Sequence, residues 1–192
     1  YAMTKKTSKP IIHTYILAAG QSSRFGKTKL TQIFRGLPLV QHPILAAKSV
    51  CKDRVSLVVG HDASSVIKAS GDLVDIIISN SNFKKGLGSS ISTAVSASKK
   101  TADAILIILG DQPFVSAQDL NMILDAWSGS SDEIVASSYD GIEGPPILFP
   151  KTTYQYLEDL NEDYGAKYLI KNDKFNLKKI KIPYARYDID TQ

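Results

Sequence analysis

Ile12-His13-Thr14-Tyr15-Ile16-Leu17 runs without a break into Ala18-Ala19-Gly20-Gln21-Ser22-Ser23-Arg24-Phe25-Gly26-Lys27-Thr28-Lys29-Leu30. The first part is mostly apolar and β-prone, and small residues end it, so it predicts a buried strand entering a tight loop that continues to about Lys29. The pattern recurs at residues 55–59 before Gly60, at 74–78, and at 104–109 before Gly110. Helices are predicted between these runs. One covers 43–50 with Pro43 in its first turn, one ends near 69 after a cap at Asp62 or Ser64, and one covers 89–99. A fourth is capped by Ser116 and places Leu120, Ile123, Leu124 and Trp127 on one apolar face. Strands alternating with helices at this spacing require right-handed crossovers. The expected fold is α/β, a mainly parallel, doubly wound (Rossmann-like) sheet with helices on both faces.

The order loosens after a strand at 134–138. A loop with Gly141, Gly144, Pro145 and Pro146 is expected to lead into a short strand at 147–149. Helices near 152–160 and 164–171 and strands at 177–182 and 187–189 complete the reading.

With 192 residues, 43% hydrophobic and 22% charged, the chain fits one ordinary domain, expected over 11–192. Residues 1–10 read as a loose arm, with Tyr1 and Ala2 ahead of Met3 as a remnant of recombinant expression. No apolar run approaches the roughly 18 residues that cross a bilayer, and the start lacks an apolar signal core, so a cytoplasmic protein with no membrane partner is expected. The single cysteine, Cys51, allows no internal disulfide and suits a reducing compartment as a packing residue. The net charge of +4 is spread over scattered lysines without interleaved aromatics, which argues against nucleic acid as a partner. His13, His42 and His61 show no metal-ligand spacing, and no Gly-x-Ser-x-Gly elbow is present.

In a doubly wound sheet, ligands sit outside the carboxyl ends of the strands. The loop after the first strand offers small residues for close backbone approach and Arg24, Lys27 and Lys29 for phosphate oxygens, which makes it a phosphate cradle. It is not a P-loop, because five residues separate Gly20 from Gly26-Lys27 where that motif has four. Gly86-Leu87-Gly88-Ser89-Ser90-Ile91 also fails as a dinucleotide fingerprint, since Ile91 stands at its last position.

The cradle resembles the Leu-Ala-(Ala/Gly)-Gly-x-x-x-Arg-(Met/Phe)-Gly-x-x-Lys signature of the nucleotidyltransferase superfamily that includes the MobA-like enzymes. Gly20, Arg24, Gly26 and Lys29 fall in register. Within that superfamily the chain is most similar to the molybdenum cofactor cytidylyltransferases. This rests on Leu17-Ala18-Ala19-Gly20 beside Arg24-Phe25-Gly26, on the stretch 86–90, on Leu109-Gly110-Asp111-Gln112-Pro113, on Asp163-Tyr164-Gly165-Ala166-Lys167, and on Asp188-Ile189-Asp190-Thr191. It departs from them at Gly144-Pro145-Pro146, where they often carry Gly-His-Pro. Pro145 and Pro146 are open to two readings, an acceptor pocket or a rigid turn.

The resemblance implies a fold of the nucleotide-diphospho-sugar transferase type and Mg²⁺-dependent transfer of CMP from CTP to molybdopterin or its molybdenum form, releasing pyrophosphate. It implies that Arg24, Lys29 and Asp111 are catalytic, the two cations binding the triphosphate. The nucleotide is expected on Leu17, Ala18, Ala19 and Gly20, with Gly86, Gly88, Ser89 and Ser90 near the base. A simpler role for the serines is capping the helix that starts there. Asp111, at a strand end, suits Mg²⁺, with Asp190 the second metal candidate and Asp188 behind it. Two alternatives stay open: transfer to a sugar or polyol phosphate, and a non-catalytic factor that passes the cofactor to an apo-molybdoenzyme.

Overall fold

The computed structural model describes residues 9–21, 28–160, 165–171 and 173–186. The long apolar runs become the centre of a seven-stranded sheet. β1 (Ile12–Ala18), β4 (Val55–Val59) and β6 (Ala104–Leu109) lie side by side and are buried almost throughout, as parallel strands covered on both faces must be. β2 (Ile33–Phe34) and β3 (Leu37–Pro38) form a separate small hairpin. The large sheet is completed by β5 (Ile76–Ser79), β7 (Glu133–Tyr139), β8 (Ile142–Pro150) and β9 (Asn176–Lys181), in the order β5-β4-β1-β6-β8-β7-β9. Among the described residues of this sheet, only β8 runs against its neighbours, β6 and β7; the sheet's other pairs are parallel.

Alternate residues of β1, β4, β6 and β7 feed two cores. Ile16, Leu57, Leu106 and Val135 face α1 (Gln41–Cys51), α2 (Ala63–Ser70) and α4 (Ala117–Ala126) through Ile44, Val66, Leu120 and Ile123. Tyr15, Val58, Ile107 and Ile134 face α3 (Leu87–Ser98), α5 (Tyr154–Leu157) and α6 (Gly165–Ile170) through Ile91, Val95, Leu157 and Leu169. This is the expected doubly wound α/β architecture. Ser116 caps α4 as expected and completes a capping box with Asp119. No helix among the described residues is long and apolar enough to cross a membrane.

Several boundaries differ from the sequence reading. The Gly/Pro loop is strand: β8 begins at Ile142 and carries Gly144, Pro145 and Pro146 within it. Proline has no N–H for a ladder, and the pairing accommodates it where the register with β7 shifts between Ala136 and Ser137, beside a cis Pro145–Pro146 bond. The Ser137 hydroxyl donates to the Pro146 carbonyl there, at 2.7 Å. The helix expected at 152–160 shrinks to a 3₁₀ turn, Lys151–Thr153, and the four residues of α5. The β2–β3 hairpin was not anticipated, because its turn places Arg35, not Asn or Gly, at positive φ beside Gly36. The strand expected at 187–189 lies outside the described residues.

Candidate active site at the carboxyl edge of the sheet

Parallel pairing sets Ala18 beside Val59 and Leu17 beside Leu109, so the carboxyl ends of β4, β1 and β6 open on one side of the sheet. The loops leaving these ends wall a cleft of about 370 Å³: Leu17, Ala18, Ala19, Gly20 and Gln21 from the first loop, Leu30, Phe83, Lys84, Gly86, Leu87 and Ser90 around it, and Leu109 and Asp111 from β6. Backbone bonds stitch the walls. Gly110 N–H donates to Leu17 O at 2.9 Å, and His61 N–H donates to Ala19 O at 3.2 Å. Small residues are required where the walls meet: a Cβ on Gly60 would lie 2.6 Å from Phe83 Cβ and 2.9 Å from Ala19 Cβ.

Lys29 opens a 3₁₀ turn, Lys29–Thr31, anchored by the buried Leu30. Its ammonium lies 3.5 Å from Asp111 Oδ2, joining residues 82 positions apart, with side-chain exposures of 12% and 31%. At that separation the pair attracts without a tight hydrogen bond, and the Asp111 carboxylate borders the cleft. Arg24, Gly26, Asp188 and Asp190 lie outside the described residues. Among the described residues no group of three or more His, Cys, Asp or Glu gathers as a metal site. Asp111 is the one carboxylate among the described lining residues of the cleft, a hard oxygen donor.

The stretch 86–90 divides. Gly86, at φ 90°, and Ser90 line the cleft, whereas Gly88 and Ser89 are not among its lining residues. Both serines are buried in the first turn of α3, and neither caps it, since Gly86 is the N-cap residue. Their hydroxyls accept instead from Asn80 Nδ2, at 2.8 Å for Ser89 and 3.0 Å for Ser90, and Ser89 donates to Gly86 O at 2.8 Å. Asn80 was missed by the sequence reading; its side-chain oxygen also accepts from Asn82 N–H at 2.9 Å, the Asx turn that an asparagine just past a strand can announce.

Gln112, which enters the sequence reading only as part of a motif, is 2% exposed, and its amide ties three segments together. Its Oε1 accepts from Leu109 N–H at 3.2 Å, and its Nε2 donates to Pro145 O at 2.8 Å and to Ala185 O at 2.9 Å. The turn that carries Asp111 is thus fastened to β8 and to the 3₁₀ turn Pro183–Arg186. β7 and β9 run in the same direction as β6, so their ends reach the same edge, where a second hollow of about 320 Å³ is lined by Ser138, Tyr139, Lys179, Lys181 and Arg186 among others. Pro145 and Pro146 do not line it. Arg186 pairs there with Asp140 at 2.5 Å, and Lys179 pairs with Glu143 at 2.6 Å.

A family model described as MobA-like NTP transferase domain matches residues 14–179. The chain is 30% identical to the purine catabolism protein PucB of Bacillus subtilis over 172 residues, 85% of this chain and 82% of PucB. It is 34% identical to the bifunctional protein GlmU of Rhizobium johnstonii over 123 residues, but that match spans 62% of this chain and 27% of GlmU. Among solved structures, Rv0371c from Mycobacterium tuberculosis H37Rv superposes with a TM-score of 0.78 at 25% identity, covering 92% of this chain and 90% of that one. A nucleotidyl transferase from Methanothermobacter, Mth528, gives the same TM-score at 23% identity, covering 94% and 92%.

Proposed function

Because the chain belongs to the MobA-like NTP transferase family, we propose that it transfers CMP from CTP to the phosphate of a molybdopterin-type acceptor, with Mg²⁺ at Asp111. That it is a nucleotidyltransferase of the MobA-like type follows from the family itself. The observation that supports binding of a triphosphate with metal is that Asp111, which lines the cleft walled by the first loop, meets Lys29, which stands just behind the lining residues. The choice of CTP and of a molybdopterin acceptor rests on the sequence resemblance.

In this reaction an acceptor phosphate oxygen attacks the α-phosphorus, the bond from that phosphorus to the α–β bridging oxygen breaks, and pyrophosphate leaves with the electron pair. The nucleophile is already anionic, so no side chain has to supply one. The protein's work reduces to alignment and charge compensation. The backbone of 18–20 receives the nucleotide, and Lys29, with Arg24, neutralises the triphosphate and the leaving group. Asp111 would hold Mg²⁺, with Asp190 as the second candidate, and bound Mg²⁺ supplies a Lewis acid for the phosphate oxygens. Gly86 and Ser90 lie where the base would sit, and Ala19, in the Leu-Ala-Ala-Gly form of the cytidylyl branch, supports CTP over GTP.

The test is pyrophosphate release with each of the four common ribonucleoside triphosphates, with and without molybdopterin, in Mg²⁺ or EDTA. The expected result is release that needs CTP, molybdopterin and metal together. Equal release with GTP would overturn the base assignment. Release with a sugar or polyol phosphate in place of molybdopterin would overturn the acceptor.

A further inference from the structure

Asp62 stands at the N-cap of the eight-residue helix α2, where an aspartate ordinarily turns its carboxylate onto a free amide of the first turn. Here it makes no such cap. Its backbone is left-handed, at φ 49° and ψ 40°, a conformation disfavoured for residues with a Cβ, though aspartate adopts it more readily than most. The carbonyl of Asp62, not its side chain, receives Ser65 N–H and Val66 N–H, each at 3.1 Å. The two carboxylate oxygens divide: Oδ2 accepts from the Thr28 hydroxyl, and Oδ1 accepts from the Ser65 hydroxyl, in the first turn of α2, at 2.7 Å. These donors, Thr28 foremost, hold the Asp62 carboxyl below the usual range, so it stays an ionised acceptor near neutral pH.

Thr28 is buried and begins the turn that carries Lys29. Its carbonyl accepts from Thr31 N–H at 3.0 Å and from the Thr31 hydroxyl at 2.8 Å. The next residue sends its ammonium to within 3.5 Å of Asp111. α2 thus has no side-chain cap on a backbone amide, and a non-glycine residue with a left-handed backbone carries a carboxylate that bridges the first turn of α2 and the residue directly before that lysine. Strain kept at such a place is accounted for by what it positions.

We infer that Asp62 is a positioning residue for Lys29, acting through Thr28 to fix the turn from which the lysine reaches the triphosphate. The inference rests on the proposed role of Lys29 as a phosphate-binding cation.

The experiment uses the full chain, with inorganic tripolyphosphate and CTP, each with Mg²⁺, as calorimetric probes, beside thermal melts. Tripolyphosphate carries the charge without a base, so the result does not depend on which nucleotide is preferred. Lys29→Ala is expected to weaken tripolyphosphate about tenfold, as loss of a charge-assisted contact does. Asp62→Gly relieves the left-handed backbone while deleting the carboxylate, so its melting temperature should hold or rise while binding weakens at least about threefold through a misplaced ammonium. Thr28→Val should weaken binding likewise, and Thr28→Ser, which keeps the hydroxyl, should restore it. In a Lys29→Ala background, Asp62→Gly should add no further loss.

Wild-type affinity in both Asp62→Gly and Thr28→Val, with Lys29→Ala impaired, would overturn this inference alone. So would a full additional loss when Asp62→Gly is combined with Lys29→Ala, since Asp62 would then act by another route. Wild-type affinity in Lys29→Ala would instead remove the phosphate-binding reading on which the inference stands.

Discussion

Replacing Gln112 by glutamate keeps the shape of the side chain but turns its donor nitrogen into oxygen, opposite the carbonyls of Pro145 and Ala185. Each lost bond is worth about 1 kcal/mol net, and an orphaned buried carbonyl adds to that. The protonated acid can return one O–H to one carbonyl, so the neutral form should cost about 1–2 kcal/mol. The ionised form is worse, because burial and two facing carbonyls both oppose a charge. These effects raise the folded pKa of the new carboxyl above its unfolded value of about 4.3. A raised folded pKa gives stability that is full below about pH 4.3 and lost as pH climbs through the folded pKa, at about 1.4 kcal/mol per pH unit in between. From pH 5 to 7 the deficit against wild type should widen by up to about 3 kcal/mol, or about 6–12 °C in melting temperature for a domain of this size. Gln112→Met removes the same bonds without a charge, so its deficit of about 2–3 kcal/mol should not vary with pH. Thermal melts of the three proteins at pH 5, 6 and 7 decide the matter. A glutamate deficit that stays flat across that range, or a methionine variant as stable as wild type, would refute the idea that this amide holds the three segments together.

Other substitutions probe the cleft and the frame separately. Asp111→Asn keeps a carbonyl oxygen but removes the charge that would hold metal, so Mg²⁺-dependent pyrophosphate release should fall on the order of a hundredfold or more while the melt shifts little; near-normal release from the folded protein would place the metal elsewhere. Gly60→Ala drives a methyl into Phe83 and Ala19, both cleft walls, and should cost about 1–3 kcal/mol and raise the KM for CTP; an unchanged melt and KM would show that the walls can give. Ser116→Ala removes the capping box of α4, which should cost about 1 kcal/mol, or about 2–4 °C, with turnover unchanged. A drop in turnover at an unchanged melting temperature would contradict that separation of frame from site.

The parts of the fold that were legible are those where one physical effect acts alone. β1, β4 and β6 are buried on both faces, so each reads as a continuous apolar run, and α4 announces itself by a cap and a one-sided face. β8 was not legible, because Gly144, Pro145 and Pro146 argue locally for a loop, and only pairing with β6 and β7 makes them strand. Tertiary context overrode propensity there. The β2–β3 hairpin was hidden for the opposite reason, an arginine held at positive φ in its turn.

The same division runs through the candidate site. The cleft wall at 17–21 could be read because a strand end followed by small residues is a local feature. Asn80 and Gln112 could not, because an amide side chain gives no signal of which distant group it will meet. Gln112 answers carbonyls 33 and 73 positions away, and Asn80 holds the hydroxyls of serines 9 and 10 positions on. Those serines were expected either to read the base or to cap the helix. Ser89 instead both accepts from Asn80 and donates to Gly86, so its hydroxyl is committed within the wall. Ser90 accepts from the same amide while bordering the cleft. Asn80 holds both hydroxyls, and what distinguishes them is that Ser89 also donates to Gly86 O, whereas Ser90 belongs to the lining of the cleft.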